Sequence, residues 1–112
     1  VTAERPVGSV RLGDRGPTVS RFALGTSPFG GVFGPVDEGV AIAAAHAALA
    51  AGITYFDTAP AYGATRSEQV LGTALRGVPR TAYVVSTKAG KTTDDRGVDR
   101  LAFDERSIRA SV

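Results

Sequence analysis

Three short strand-type runs, separated by two helical stretches that each close on a glycine, constrain this chain more than any other feature of its sequence. Phe22-Ala23-Leu24-Gly25-Thr26 is an apolar run of buried-strand type. Asp37 then stands where a helix N-cap belongs, and Val40 to Ala51 carries Ile42, Ala45 and Leu49 at spacings of three and four before Gly52 stops it. Ile53-Thr54-Tyr55-Phe56 is a β-branched and aromatic quartet with Asp57 at its far end. Thr65-Arg66-Ser67-Glu68 has the spacing of a capping box, followed by the apolar stripe Val70, Leu71, Ala74 and Leu75 and the stop Gly77. Ala82-Tyr83-Val84-Val85-Ser86-Thr87 is the third strand, with Lys88 at its C-terminal end. Strands alternating with helices predict an α/β fold with a parallel sheet, because right-handed crossovers return each strand beside the last.

The flanks read differently. Ser9-Val10-Arg11-Leu12 and Thr18-Val19-Ser20-Arg21 alternate around Gly13-Asp14-Arg15-Gly16-Pro17 and predict an N-terminal β-hairpin. Ser27 to Pro35 reads as a loop rich in glycine and phenylalanine, and the polar stretch Gly90 to Arg100 as a second loop. From Asp104 the residues look like the first turns of a third helix.

Composition removes several function classes. With 43% apolar and 21% charged residues the chain is of ordinary globular type. It has no cysteine, hence neither a disulfide framework nor a thiolate metal site. Val1 to Pro6 lacks the charged and apolar regions of a secretory signal, and the apolar stretch 40–53 is too short for a bilayer, which takes about 20 residues. The expectations are therefore a cytoplasmic location and no membrane partner. A net charge of +2, with Lys and Arg dispersed among acids, argues against nucleic acid.

Asp57 and Lys88 stand 31 residues apart, about one βαβ unit, each just past the end of its strand. If the two strands pair, their axes run about 4.8 Å apart and the two side chains can form an ion pair on one rim. Tyr62 lies in the loop leaving Asp57, on the rim where parallel α/β folds build active sites. A phenol ordinarily titrates near pH 10, and a neighbouring ammonium favours its ionised form. Tyr62 would then exchange protons, Lys88 would tune it, and Asp57 would hold Lys88.

The string Gly52-Ile53-Thr54-Tyr55-Phe56-Asp57-Thr58-Ala59-Pro60-Ala61-Tyr62-Gly63, with Ser67-Glu68-Gln69-Val70-Leu71-Gly72 and Val85-Ser86-Thr87-Lys88, resembles the aldo-keto reductase family. Leu24-Gly25-Thr26 and the hairpin agree with it, and a glycine-rich loop at Pro28 to Gly34 is similar to that of the bacterial aldose dehydrogenase branch. The resemblance implies the N-terminal part of a (β/α)8 TIM barrel, with the hairpin closing its floor. Such a barrel takes about 250 residues, so residues 1–112 are expected to form a single barrel domain truncated at its C-terminus. It also implies NADP(H) as cofactor, with NAD(H) the other option, and a small carbonyl or sugar substrate. Of the family's catalytic tetrad, Asp57, Tyr62 and Lys88 are present. The histidine would follow the next strand, beyond Val112, and the one histidine here, His46, precedes the motif. By the same resemblance Gly25, Thr26 and Asp57 border the nicotinamide, while Phe29 and Phe33 lie on a loop that touches substrate. The isolated chain is expected to be inactive, and its oligomeric state is left open.

Each residue also has a plainer reading. Asp57 alone suits a turn, Lys88 a solvated strand end, Tyr62 a partly buried aromatic; only their joint placement favours catalysis. His46 reads as a surface or packed histidine without a second metal ligand. Gly90-Lys91-Thr92 resembles the end of a phosphate loop, but Val85 stands where that motif requires glycine. Gly30, Gly31 and Gly34 miss the dinucleotide fingerprint. The competing function is a non-catalytic regulatory or interaction subunit on the same scaffold.

Overall fold

The structure, a computed structural model, describes residues 7–112. The Val1–Pro6 segment, on which the expectation about a signal rests, lies outside the described residues. β1 (Ser9–Arg11) and β2 (Thr18–Ser20) pair antiparallel with Val10 opposite Val19, forming the expected hairpin. β3 (Ala23–Gly25), β4 (Tyr55–Asp57) and β5 (Val84–Ser86) make a parallel sheet in that order, crossed over by α1 (Glu38–Ala50) and α2 (Arg66–Ala74).

Register decides which side chains meet the helices. Leu24, Phe56 and Val85 form one row across the sheet, and Gly25, Asp57 and Ser86 form the next. Phe56 is fully buried in a core with Ala41, Ala45, Ala48, Val70, Leu71 and Ala74. Because strand side chains alternate, the Gly25–Asp57–Ser86 row faces away from the helices. Burying a Phe side chain contributes about 1.5–3 kcal/mol, so the packing of Phe56 is a strong determinant of the strand's facing. On α1, Asp37 caps as expected, its carboxylate accepting from the Val40 amide at 3.1 Å. The buried line is Ala41, Ala45 and Ala48, with Ile42 and Leu49 packed at its margins. Small side chains at the centre let the helix approach the sheet closely, which displaces the larger ones to the flanks.

Two expectations are corrected. The capping box at Thr65 does not form: Thr65 sits at φ +72 without a side-chain cap, and Glu68 instead accepts from the Thr87 hydroxyl at 2.6 Å. The loop's own backbone does the capping, with Thr65 N donating to Pro60 O at 2.8 Å and Ser67 N to Tyr62 O at 3.1 Å. The stretch Gly90 to Arg100 is not wholly loop. β6 (Lys91–Thr93) and β7 (Asp99–Leu101) form an antiparallel hairpin whose turn is held by Asp94, accepting from the Arg96 and Val98 amides at 2.9 Å. Both strands are largely exposed, so no apolar alternation marks them. Smaller adjustments occur at a 3-10 turn over Ser27–Gly30 inside the first loop, and another over Arg80–Ala82 that shortens β5. α3 (Glu105–Ser111) begins at Asp104, which accepts from Ser107 N at 3.1 Å.

The Ser27–Gly30 turn lies directly on the loop after β4. A Cβ at Gly30 would run into the Tyr62 carbonyl, and one at Gly63 into the Gly30 carbonyl. Gly30→Ala is expected to destabilise by about 1–3 kcal/mol through this overpacking. Gly72→Ala, which adds a methyl into open space on α2, is expected to stabilise by up to about 1 kcal/mol. Urea unfolding of both variants checks the pair; a Gly30→Ala midpoint at or above wild type would refute the contact.

Candidate active site

The last residues of β4 and β5, Asp57 and Ser86, are register partners. The parallel pairing therefore brings Asp57 beside the chain that leads to Lys88. Lys88 Nζ donates to Asp57 Oδ2 at 2.8 Å and to the Thr58 carbonyl at 2.8 Å. Ser86 Oγ donates to Asp57 Oδ1 at 2.6 Å, so both carboxylate oxygens are engaged. Lys88 Nζ also lies 5.1 Å from the centroid of the Tyr62 ring, within the roughly 6 Å reach of a cation–π contact. The three residues singled out by spacing thus form one cluster.

Charge and burial act in opposite directions on the pair. Burial opposes ionisation of Asp57, but the hydrogen bonds from Lys88 and Ser86 and the ammonium charge outweigh it, holding the carboxyl below its ordinary 3.8. Burial likewise opposes the charge on Lys88, and is outweighed by the hydrogen bond and charge of Asp57, then by Tyr62, which raise it above 10.5. Both side chains remain open to solvent, 47% for Lys88 and 40% for Asp57. Such a pair contributes little to folding stability. Its consequence is orientation: the ammonium is held on the open side of the sheet, over a phenol.

Of the residues assigned to the nicotinamide, Gly25 is exposed, and a Cβ there would meet nothing within 4 Å. Thr26 is fully buried, its hydroxyl donating to the Asp57 carbonyl at 2.9 Å and lying 2.8 Å from Ser67 Oγ. The two phenylalanines of the first loop separate: Phe29 belongs to the core, whereas Phe33 is 81% exposed. His46 lies on the surface of α1 with Nε2 2.8 Å from the Ala74 carbonyl, at the end of α2. Among the described residues no group of three or more His, Cys, Asp or Glu could hold a metal, and no helix is long and apolar enough to cross a membrane. Lys91 of the discarded phosphate-loop string pairs with Asp99 at 3.1 Å in the second hairpin.

Three residues that support the cluster, directly or from behind, escaped sequence reasoning. Ser86 could have been found, since alternation puts it on the same side as Lys88 and pairing puts it opposite Asp57. Ser67 occupies the buried stripe 67–70–71–74 of α2, where a lone hydroxyl among apolar residues is the signal. Thr58 contributes a backbone carbonyl to Lys88, which side-chain chemistry does not announce.

A family profile described as the aldo/keto reductase family matches residues 21–112. The chain belongs to the aldo/keto reductase family. It is 44% identical over 103 residues to L-galactose dehydrogenase of Arabidopsis thaliana, covering 90% of this chain and 31% of that protein. It is 42% identical over 76 residues to D-threo-aldose 1-dehydrogenase of a Pseudomonas species, covering 68% and 23%. A solved aldo-keto reductase from Pseudomonas aeruginosa superposes with a TM-score of 0.77 at 40% identity, over 92% of this chain and 38% of that one. The chain thus spans about a third or less of the curated relatives. In this aldo/keto reductase the parallel strands and their crossovers are the N-terminal part of a TIM barrel, and the Gly25–Asp57–Ser86 row lies at the C-terminal ends of its strands.

Proposed function

We propose that these residues form the N-terminal part of the active site of a nicotinamide-dependent oxidoreductase that reduces aldehydes or ketones, or oxidises sugar-like alcohols. In this reading residues 1–112 belong to one barrel domain, and Asp57, Tyr62 and Lys88 carry its proton chemistry. The carrying observation is that one ammonium touches both the carboxylate of Asp57 and the face of Tyr62.

The open rim fits a nicotinamide: Gly25 leaves space where a side chain would stand, beside the half-exposed Asp57. Gly25, the Thr26 backbone and Asp57 would border the ring, since the Thr26 hydroxyl is directed inward. When bound, the cofactor supplies or accepts the hydride. Tyr62 gives its proton to the carbonyl oxygen during reduction and takes the alcohol proton during oxidation. Lys88 stabilises the negative charge that develops on the phenol oxygen, and Asp57 with the Thr58 carbonyl keeps Lys88 from swinging into solvent. NADP(H) is the cofactor of this reading, with NAD(H) the other option, and the names of the sugar-dehydrogenase relatives favour a hemiacetal or related alcohol as substrate.

The complete enzyme carrying these residues is expected to change nicotinamide absorbance with a panel of aldoses and oxidised cofactor, or of aldehydes and reduced cofactor. Silence in both directions, with NADP and with NAD, would end the assignment and leave a non-catalytic scaffold.

A further inference from the structure

Behind Asp57 lies a knot of three fully or nearly fully buried hydroxyls, from Thr26, Thr58 and Ser67. Ser67 Oγ donates to the Thr26 carbonyl at 2.6 Å and lies 2.8 Å from Thr26 Oγ1 and 3.1 Å from Thr58 Oγ1. Thr26 Oγ1 in turn reaches the Asp57 carbonyl at 2.9 Å. Three hydroxyl protons serve these four contacts, so Thr26 Oγ1 shares its proton between Asp57 O and Ser67 Oγ. The Asp57 carbonyl keeps a donor in either arrangement, because Thr26 N also donates to it at 2.9 Å. No buried side-chain polar atom among the described residues is left without a partner.

We propose that Ser67 is a positioning residue: its hydroxyl ties the first turn of α2 to the ends of β3 and β4, and thereby fixes the backbone that presents Asp57 and the Thr58 carbonyl to Lys88. Ser67 stands at the centre of the knot, while Asp57 and Thr58 supply both oxygens that hold Lys88 Nζ. The rest of the buried stripe of α2 is Val70, Leu71 and Ala74. A buried hydroxyl is tolerated in such a stripe only when it is hydrogen-bonded. Here every partner lies at a strand end next to the active rim. The proposal rests on the catalytic reading of Asp57, Tyr62 and Lys88, through which Ser67 would act.

The test compares Ser67→Ala, Thr58→Val and Val70→Ala in the complete enzyme, with Lys88→Met alongside. Val70 is on the same stripe but outside the knot, so its truncation reports loosened packing alone. Ser67→Ala is expected to lower kcat about tenfold or more, as small displacements of catalytic groups do, with KM little changed and the alkaline limb of the pH–rate profile moved to lower pH. Thr58→Val shifts both in the same direction by less. Val70→Ala lowers the melting temperature but leaves kcat of the folded enzyme and the limb in place. If Lys88→Met is inactive while Ser67→Ala keeps wild-type kcat and limb, the inference alone fails. Thr58→Val decides by the same criterion if Ser67→Ala does not fold. If Lys88→Met is itself fully active, the catalytic reading falls and this inference with it.

Discussion

Tyr62→Phe in the complete enzyme is expected to lower kcat by about 10²–10⁴-fold, the usual worth of a positioned proton donor, while cofactor affinity is retained. The substitution keeps the ring beneath the Lys88 ammonium, 5.1 Å from the centroid in the wild type, and a phenylalanine face attracts a cation as well. The Lys88–Asp57 pair should therefore stay in place, and the lost rate reports the missing hydroxyl alone. Steady-state turnover combined with a fluorescence titration of NADPH separates the two quantities. Equal turnover by wild type and variant would remove Tyr62 from the chemistry.

Lys88→Met should cost a further large factor, about 10²-fold or more in kcat, by removing the charge that steadies the phenol oxygen. It also leaves Asp57 with Ser86 as its side-chain hydrogen-bond donor and strips the Thr58 carbonyl of its ammonium. The pH dependence has a definite sign. Asp57 is held below 3.8, so its part of the pairing is complete above that value and disappears as pH falls through the lowered folded pKa. Lys88 is held above 10.5, so its part is complete below that value and is lost as pH rises through the raised folded pKa. The pair is consequently ionised throughout the neutral range. Asp57→Asn removes the carboxylate charge that, with its hydrogen bond, holds Lys88 above its ordinary value, and should bring the alkaline limb of kcat/KM to lower pH. Coincident limbs in wild type and Asp57→Asn would show that Lys88 does not govern that limb.

Much of the architecture was readable because local and tertiary preferences agree. The Asp37 cap, the glycine stops and the strand quartet at Ile53 each favour locally what the sheet demands globally. The trio Asp57, Tyr62 and Lys88 was readable for a related reason: a βαβ spacing of 31 residues returns the chain to one rim. Thr65 misled because capping chemistry was present in the right order, yet the backbone of the Pro60–Thr65 loop had already satisfied the helix start. The second hairpin misled because exposed polar strands carry no periodic signal, and its pairing follows from the Asp94 turn and the Lys91–Asp99 contact.

By itself, the sequence determined the order and kind of the main elements and the three side chains on the candidate rim, since hydrophobic period, caps and spacing are local quantities. Only the tertiary structure decided that Thr26 turns inward, that Phe29 is core and Phe33 exposed, that Ser86 and the Thr58 carbonyl hold the ion pair, and that Ser67 joins Thr26 to Thr58 behind it. Those outcomes depend on strand register and on which of two faces a side chain meets. A one-residue slip of register would turn Asp57 and Ser86 to the other face of the sheet, and the turn and helix residues take their places by packing against that sheet, so these are properties of the packed fold and not of any segment read alone.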